Sequence, residues 1–429
     1  MSAGQAKTEK GHGSRSFRAY HALIALIAGL ALGAAAAGPA LGWRANALEV
    51  AGFVGTLWLN ALKMTVIPLV VTLLVVGIAK SREAARAGLI AGRSVVWIVI
   101  VCTASAVFGA VSILLLTTLF PLPRGTAQGL QAAIAGVEQQ TSQPLPGIAD
   151  FFKGVIPDNV FAAASNGDIL PLVVFSLLFA LALAGISEQG RRAIIVLFEA
   201  VADAVLVIIG WVLWLAPIGV FALAYTVGSA AGGSAFAGFG HYVVLISFIG
   251  ILVTLVAYPL AIIVGRVGAA KFVKDMVPPQ AVAISTRSSL ASLPAMLTAA
   301  REMGVREQAA DVTLPIAVAL FRATGPAMNV AVAFYVAHWL GYEPTLAQMI
   351  AATAVGAVMS YGAVSLPGEV SFISSIAPIA IALGVPVAPL ALLVAVEMIP
   401  DIFRTVGNVS MDVAVTTVVD RSTRNVSET

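Results

Sequence analysis

Long apolar stretches, separated by short polar connections, run through most of the 429-residue chain. A helix that crosses a bilayer needs roughly 20 predominantly apolar residues. The pattern therefore predicts six spans, at 19–39, 48–78, 90–120, 168–187, 194–227 and 241–265. The first stretch is alternatively a signal peptide, because residues 34–37 resemble a cleavage region. Its length and the spans that follow it favour a membrane helix.

Two later apolar segments, 278–303 and 347–385, are interrupted near their middles by small polar residues and proline. Irregular backbone at membrane depth is tolerated where it is buried in protein or lines a watery cavity, and paired interruptions point to a transporter binding site. We expect two opposed re-entrant helical hairpins, each flanked by full spans, at 309–340 and 387–419. The pattern predicts an all-α membrane protein with eight transmembrane helices and two hairpins. The alternative is a ten-span protein with kinked helices.

Composition supports a membrane protein and excludes several other classes. The chain is 59% hydrophobic and 10% charged, whereas soluble domains carry about 25% charged residues. A net charge of +3 gives no sign of a nucleic-acid partner. The lone Cys102 and four scattered histidines suggest neither a disulfide framework nor a metal-ligand cluster, so no resident cofactor is expected.

Basic residues indicate the orientation of the spans. Lysine and arginine gather in the N-terminal tail 1–18 and in three connections, at 79–93, 188–192 and 266–274. Cytoplasmic loops carry such an excess. The charge-poor connections, predicted to lie outside, are 40–47, 121–158 and 228–240. We expect a multi-pass protein of the cytoplasmic (inner) membrane with both tails, 1–18 and 421–429, in the cytoplasm.

A charged stripe marks the last predicted span. At 100° per residue, five polar side chains fall within an arc of about 80°: Glu397, Asp401, Arg404, Asn408 and Asp412. A charge at the bilayer centre costs at least about 2.5–3.5 kcal/mol, and such residues face the protein interior. One interpretation is an ion-pair network that only holds the bundle together. Three acids beside one arginine favour a site with a bound cation, a proton or another arginine.

Further charges accompany the predicted interruptions. Arg287 lies at the first, Glu369 follows the second, and Arg322 sits inside the seventh span. An anionic solute would need a co-bound cation or proton, because acids already outnumber arginines. Burial favours the protonated form of a carboxyl group, so Glu369 and Glu397 are proton-carrier candidates. Each is equally interpretable as the fixed partner of an arginine.

Three functional classes fit a charged membrane bundle. Two breaks on opposite sides predict gates and favour a secondary transporter over an ion channel. A membrane enzyme is disfavoured because the chain has no H-E-x-x-H, P-loop or G-x-S-x-G motif, and no histidine lies near Ser288 or Ser289 in the sequence to activate them.

Several segments resemble the dicarboxylate/amino acid:cation symporter family, which includes the glutamate and aspartate transporters. The 286–294 segment T-R-S-S-L-A-S-L-P is similar to the family's first hairpin, and S-L-P-G at 365–368 is similar to its second. D-I-F-R-T-V-G-N-V-S-M-D at 401–412 resembles its last-helix motif. Two upstream segments, 62–70 and 156–167, also look like family segments. The similarity runs from about residue 20 to 420, and the last-helix motif is specific in combination with the hairpins.

The resemblance implies a symporter of an acidic amino acid such as aspartate or glutamate, working by alternating access. It implies that Arg404 pairs with the substrate side-chain carboxylate, Asp401 binds the ammonium group, and Thr405 and Asn408 contact the α-carboxylate or the substrate backbone. The pocket would be completed at the hairpins by Arg287, Ser288, Ser289, Ser365, Pro367 and Gly368. Asp412 is implied as a cation ligand, for example for sodium.

The resemblance also implies a homotrimer. Residues 19–240 would form mainly the scaffold, with the third span joining the mobile unit, and residues 241–420 mainly the transport core. The alternative within the transporter class is a proton-coupled carrier or exchanger of neutral amino acids or C4-dicarboxylates.

One departure from the family lies in the seventh span. Where the family usually has N-M-D-G-T, this chain has F-R-A-T-G at 321–325. Our hypothesis is that the Arg322 guanidinium takes part of the place of a sodium ion, so that sodium coupling is reduced or lost. Alternatively, Arg322 binds the substrate carboxylate, or it pairs with Glu369 or Asp412. Gly325 and Pro326 predict a helix break at this point.

Overall fold

A computed structural model describes residues 21–36, 42–86, 88–122, 156–232, 234–361 and 368–427. Over these ranges the protein is all-helical, as predicted. The helices are α1 His21–Ala35, α2 Gly42–Arg86, α3 Leu89–Leu119, α4 Val160–Asn166, α5 Ile169–Ala182, α6 Glu188–Trp214, α7 Ala216–Ala231, α8 Ser234–Pro259, α9 Ala269–Thr286, α10 Ser289–Glu302, α11 Glu307–Leu320, α12 Thr324–Leu340, α13 Leu346–Ser360, α14 Gly368–Leu383, α15 Ala388–Leu393 and α16 Met398–Ser427.

The described part contains five helical stretches that are long and apolar enough to cross a membrane: Trp43–Lys80, Leu89–Leu119, Glu188–Trp214, Ala235–Val264 and Glu307–Leu340. A chain with this set spans the membrane. The total of eight spans stays a prediction.

The helices extend further than hydropathy predicted. Helix α2 continues to Arg86, well into the predicted connection 79–93, and α9 begins at Ala269 within the predicted loop 266–274. Helix α16 runs on to Ser427, beyond the predicted span end at 419. Hydropathy marks only the part of a helix that contacts hydrocarbon, whereas backbone hydrogen bonding continues into the polar region.

Three predicted continuous spans are instead interrupted. The 194–227 span breaks at Leu215, because Pro217 has no N–H to donate to the preceding turn. The 309–340 span unwinds over 321–323, where Phe321 is extended (φ −107°, ψ 125°). The break therefore lies ahead of Gly325 and Pro326, which occupy the first turn of α12, where proline is tolerated. The 387–419 span is interrupted by turns at 394–397.

Both predicted hairpin segments consist of paired helices. Helix α9 packs beside α10, and Arg287 and Ser288 join them. The first break is thus shorter than predicted, since Pro294 lies within α10. Helix α13 packs beside α14, and the gap between Ser360 and Gly368 contains the predicted second break.

Two groups of contacts recur in the packing. Helix α2 contacts α5, α6 and α7, whereas α12 packs mainly on α3, and α16 mainly on α8. Helix α2 also contacts α3 and α14. Helices α3 and α12 come close at Gly109, where an added Cβ would overlap the Ala327 backbone. The close contact brings α3 against the interruption before α12. Further along α12, large aromatic side chains fill the interior between α8 and α12, including the fully buried Tyr242, Tyr335 and Trp339.

Candidate functional site

The charged stripe of the last predicted span lies inside the protein. Glu397, Arg404, Asn408 and Asp412 are buried, and the Asp401 side chain is 15% exposed. Glu397 precedes the first turn of α16, and its carbonyl accepts a hydrogen bond from the Asp401 N–H at 2.9 Å. The stripe therefore turns toward α8 and the α11–α12 interruption, which α16 contacts.

Arg404 forms its close ion pair with Glu397. The Arg404 Nη1 lies 2.5 Å from Glu397 Oε1 and 3.7 Å from Asp401 Oδ1. The Tyr242 hydroxyl donates a 3.0 Å hydrogen bond to the other carboxylate oxygen of Glu397. Burying two charges is costly unless they are paired and hydrogen-bonded. Glu397 is thus held between a cation and a hydroxyl donor.

The opposite edge of the Arg404 guanidinium is open only in the sense that it has no hydrogen-bond partner among the described residues. Its Nε and Nη2 are both buried. These two nitrogens form the edge that binds a carboxylate through two parallel hydrogen bonds. A buried, unsatisfied donor carries a desolvation cost, which a bound carboxylate would relieve.

The interruption between α11 and α12 is fixed by side chains from other helices. The Asn408 Oδ1 accepts a 2.9 Å hydrogen bond from the Thr324 N–H, which opens α12. The Ser105 hydroxyl of α3 donates to the Ala323 carbonyl. Unwound backbone inside a membrane protein requires such partners. Asn408 therefore couples the stripe to the break.

Arg322 lies in this break and interacts electrostatically with two acids of the stripe, Asp401 and Asp412. Asp412 is fully buried, and neither of its carboxylate oxygens has a hydrogen-bond partner among the described residues. The positive charge that offsets Asp412 is therefore that of Arg322.

The first hairpin turn supplies a third arginine. Arg287 ends α9 in a left-handed conformation (φ 49°) and interacts electrostatically with Asp401. Ser288 caps α10, and its hydroxyl oxygen accepts from the Ala291 N–H at 3.2 Å. Ser289 is the first residue of α10. The Ser288 hydroxyl is thus engaged with its own helix.

The remaining predicted site residues divide into two groups. Thr405 is buried, and its hydroxyl donates a 2.8 Å hydrogen bond to the Asp401 carbonyl. The hydroxyl hydrogen of Thr405 is therefore bound to the backbone of its own helix. Ser365 and Pro367 lie outside the described residues, and so does the side chain of Glu369. Gly368 begins α14.

Sequence reasoning missed Tyr242, Ser105 and Thr324 as parts of this site. Tyr242 and Ser105 lie in apolar stretches, where a single hydroxyl carries no signal of its own. Thr324 lies in the 321–325 segment, where the side chain of Arg322 is the only one that the sequence singles out. The Tyr242 ring packs edge-on against Tyr335, with centroids 5.4 Å apart. Only the packing of α8, α3 and α12 against α16 makes these hydroxyls neighbours of the stripe.

Among the described residues, three acids of the stripe (Glu397, Asp401 and Asp412) face three arginines, at 287, 322 and 404. A buried and balanced charge cluster at a helix interruption, within a membrane-spanning helical bundle, is typical of a secondary transporter. The chain belongs to the sodium:dicarboxylate symporter family, whose model matches residues 19–422.

Curated relatives cover most of the chain. The proton/sodium-glutamate symport protein of Bacillus subtilis (strain 168) is 29% identical over 83% of this chain and 82% of its own length. The C4-dicarboxylate transport protein of Laribacter hongkongensis (strain HLHK9) is 26% identical, over 84% and 81%. The neutral amino acid transporter B(0) of Oryctolagus cuniculus is 28% identical, over 91% and 77%. The three relatives are named for different substrates, so their names do not identify the substrate of this protein, which has to be inferred from its site.

Proposed function

We propose that this protein is a symporter of an acidic amino acid, such as aspartate or glutamate, and that proton movement replaces part of the sodium coupling. The observation that carries the proposal is the open Nε and Nη2 edge of the buried Arg404. That edge matches the geometry of a carboxylate. The names of the relatives include glutamate, proton and sodium, which agrees with this substrate class and these ions. The proposal assigns transport and no catalytic step.

The proposed pose uses both charges of the stripe. The substrate side-chain carboxylate binds the open edge of Arg404, and its ammonium group binds Asp401, which is the least buried acid of the three. Asn408, Thr405 and the turn at Ser288 and Ser289 face the α-carboxylate, together with Arg287. The roles of Ser365 and Pro367, which lie outside the described residues, and of Gly368 in substrate binding stay predictions from the family resemblance. A plain C4-dicarboxylate has no ammonium group for Asp401, which favours an amino acid.

Proton coupling follows from the number of charges around Arg404. In the described structure Glu397 holds this arginine at 2.5 Å. One buried guanidinium cannot fully neutralise both Glu397 and a bound carboxylate, so substrate binding leaves an excess negative charge. Buried carboxyl groups that lose their cation partner take up a proton. Glu397 therefore carries a proton when the substrate is bound, and Glu369 remains a second candidate carrier.

Sodium coupling is reduced because Arg322 offsets Asp412. In the family motif the corresponding segment has an aspartate and no arginine, whereas here the positive charge is covalently attached. Asp412 keeps two carboxylate oxygens without hydrogen-bond partners among the described residues, and Arg322 interacts with it electrostatically. An ion that binds there has to compete with Arg322, although Asp412 retains the hard oxygen donors that sodium uses.

The proposed architecture has eight transmembrane helices and two opposed re-entrant hairpins, α9–α10 and α13–α14. Residues 19–240 form mainly the scaffold and 241–420 mainly the mobile core, which α3 joins because it packs on α12. The protein assembles as a homotrimer in the inner membrane with the tails 1–18 and 421–429 in the cytoplasm. Contacts of α2 with α5, α6 and α7 support a separate scaffold.

Uptake into proteoliposomes tests the substrate and the coupling ion separately. We expect labelled aspartate and glutamate to accumulate faster than succinate, and an inward proton gradient to drive uptake when choline replaces sodium. Arg404→Gln should abolish acidic amino acid uptake. The matched control Arg301→Gln removes an arginine whose partners Asp311 and Glu307 are at the surface, and it should transport like the wild type.

The outcomes separate the parts of the proposal. Unchanged aspartate affinity in Arg404→Gln would overturn the binding site. Complete dependence on several sodium ions per substrate would overturn the role of Arg322 and leave the substrate assignment intact. Uptake of succinate in preference to both amino acids would overturn the role of Asp401.

A further inference from the structure

A polar cavity lies at the far end of α16, away from the site described above. Its volume is about 200 Å³, and its lining comes from residues 265–267 after the helical segment Leu260–Val264, from residues 303–305 after α10, and from the last turns of α16. Asp420, in its wall, is eight residues beyond Asp412, or about 12 Å along the helix at the usual rise per residue. This distance separates it from the transport site.

Arginine dominates the charge of this cavity. Arg266, Arg421 and Arg424 line it together with one acid, Asp420. The buried Asp420 also pairs with Arg306, at 2.6 Å, and with Arg424, at 2.7 Å. Three guanidinium groups and one carboxylate thus line the cavity, which leaves an excess of positive charge around a concave space.

The two ion pairs of Asp420 fix the cavity wall. Arg424 also donates to the Gly304 carbonyl at 2.7 Å, and Arg306 donates to the Thr423 hydroxyl at 2.7 Å. These bonds tie the end of α10 to the end of α16. In contrast, neither Arg266 nor Arg421 forms an ion pair with another residue in the described part of the chain, so both are available to a ligand.

Arg266 has an unusual backbone for its residue type. Its φ of 56° lies in the left-handed region. Arg266 directly follows the helical segment that is capped by Gly265. The next residue, Val267, donates its N–H to the Ala261 carbonyl at 3.1 Å and so ends this helical segment. Glycine is the usual residue at such a position, because other residues are strained there. Strained residues of this kind concentrate at ligand clamps and functional sites.

A general preference for arginine near the membrane surface explains the number of basic residues in this region. It does not explain why arginine stands at 266, where the left-handed backbone favours glycine. It also does not explain why Arg266 and Arg421, which form no ion pair with a described residue, line the same cavity. We propose that this cavity binds a phosphate group, carried either by a small soluble anion or by a lipid headgroup. Arginine forks match phosphate oxygens bidentately, and basic pockets of membrane proteins bind phosphate-bearing headgroups. The proposal is independent of the transported substrate.

The test measures the thermal unfolding midpoint of the full-length protein in detergent. The probes are inorganic phosphate and short-chain phosphatidic acid, and chloride at equal ionic strength controls for screening. The variant is Arg266→Gly with Arg421→Gln. Glycine relieves the backbone strain, so without ligand this variant should unfold at the wild-type temperature or above. Arg192→Gln, which removes an exposed arginine elsewhere, is the matched control.

We expect a saturable rise in the unfolding midpoint with a phosphate probe and none with chloride. The half-saturating concentration should increase by at least about tenfold in the variant, since each lost charged hydrogen bond weakens binding by about that factor, and it should not change in Arg192→Gln. A response to inorganic phosphate identifies a soluble anion, and a response to phosphatidic acid alone identifies a headgroup. Equal half-saturation in variant and wild type, or no saturable shift with either probe, would overturn the proposal. If the double variant does not fold, Arg421→Gln alone replaces it in the titration, and its half-saturating concentration should likewise exceed that of the wild type.

Discussion

Replacing Glu397 by glutamine removes the charge that competes with the substrate for Arg404. Charge centres about 4 Å apart interact by about 4 kcal/mol at an effective dielectric constant near 20. The net contribution of a hydrogen bond to a charged group is smaller, about 1.5–3 kcal/mol. We therefore expect Glu397→Gln to bind aspartate about 10- to 100-fold more tightly than the wild type at pH 8. The 2.5 Å contact between Arg404 and Glu397 is the structural basis of this magnitude.

The same substitution should remove the pH dependence of binding. Under the proposed mechanism, substrate binding in the wild type takes up a proton on Glu397, so the affinity for aspartate should increase as the pH falls. The increase approaches about tenfold per pH unit where free Glu397 is ionised and bound Glu397 is protonated. Glutamine cannot titrate, so the affinity of the variant should not vary with pH in this range.

Calorimetric titration of the purified protein with aspartate from pH 5.5 to 8.5 measures both effects. Glu302→Gln removes an exposed carboxylate and should keep the wild-type profile. Tyr242→Phe removes the hydroxyl that donates to Glu397 and should shift the profile without abolishing it. If Glu397→Gln kept both the wild-type affinity and the wild-type pH profile, the proposed competition between Glu397 and the substrate for the charge of Arg404 would be refuted.

Three further predictions concern the helix interruption and its packing. Arg322→Ala leaves a buried acid without its cation, so sodium should stimulate aspartate binding more strongly than in the wild type; a sodium titration that matches the wild type would contradict this. Asn408→Ala leaves the Thr324 N–H without its acceptor and should lower the free energy of unfolding by about 1–3 kcal/mol, measured by denaturant titration. Asn408→Asp keeps an acceptor oxygen and should retain most of the wild-type free energy of unfolding. Gly109→Ala should lower the unfolding temperature, because its methyl group overlaps the backbone of α12, whereas Gly210→Ala, which has open space around it, should leave the temperature unchanged or raise it. Equal unfolding temperatures for the two glycine variants would contradict the close helix contact.

The sequence by itself determined the class of the protein and much of its layout. Apolar stretches of membrane-spanning length require helices, because a bilayer offers no partners for backbone groups. The stripe from Glu397 to Asp412 followed from the helical period alone, and the last-helix motif indicated the family. The existence of the two helix pairs at 269–302 and 346–383 was predictable from polar residues in otherwise apolar segments, although the first pair turns at Arg287 and Ser288 and Pro294 lies within α10.

Tertiary packing decided which charges pair and where the seventh span opens. A helical period puts Arg404 nearer to Asp401, three residues away, than to Glu397, seven residues or about two turns away. The turn at 394–397 and the Tyr242 hydroxyl nevertheless place Glu397 closest. The break lies at 321–323 because Asn408 and Ser105, which are distant in sequence, satisfy its backbone there. Local sequence specifies helical propensity and one helix face. Contacts between helices determine how buried charges and unwound backbone groups are satisfied, because their partners come from other parts of the chain.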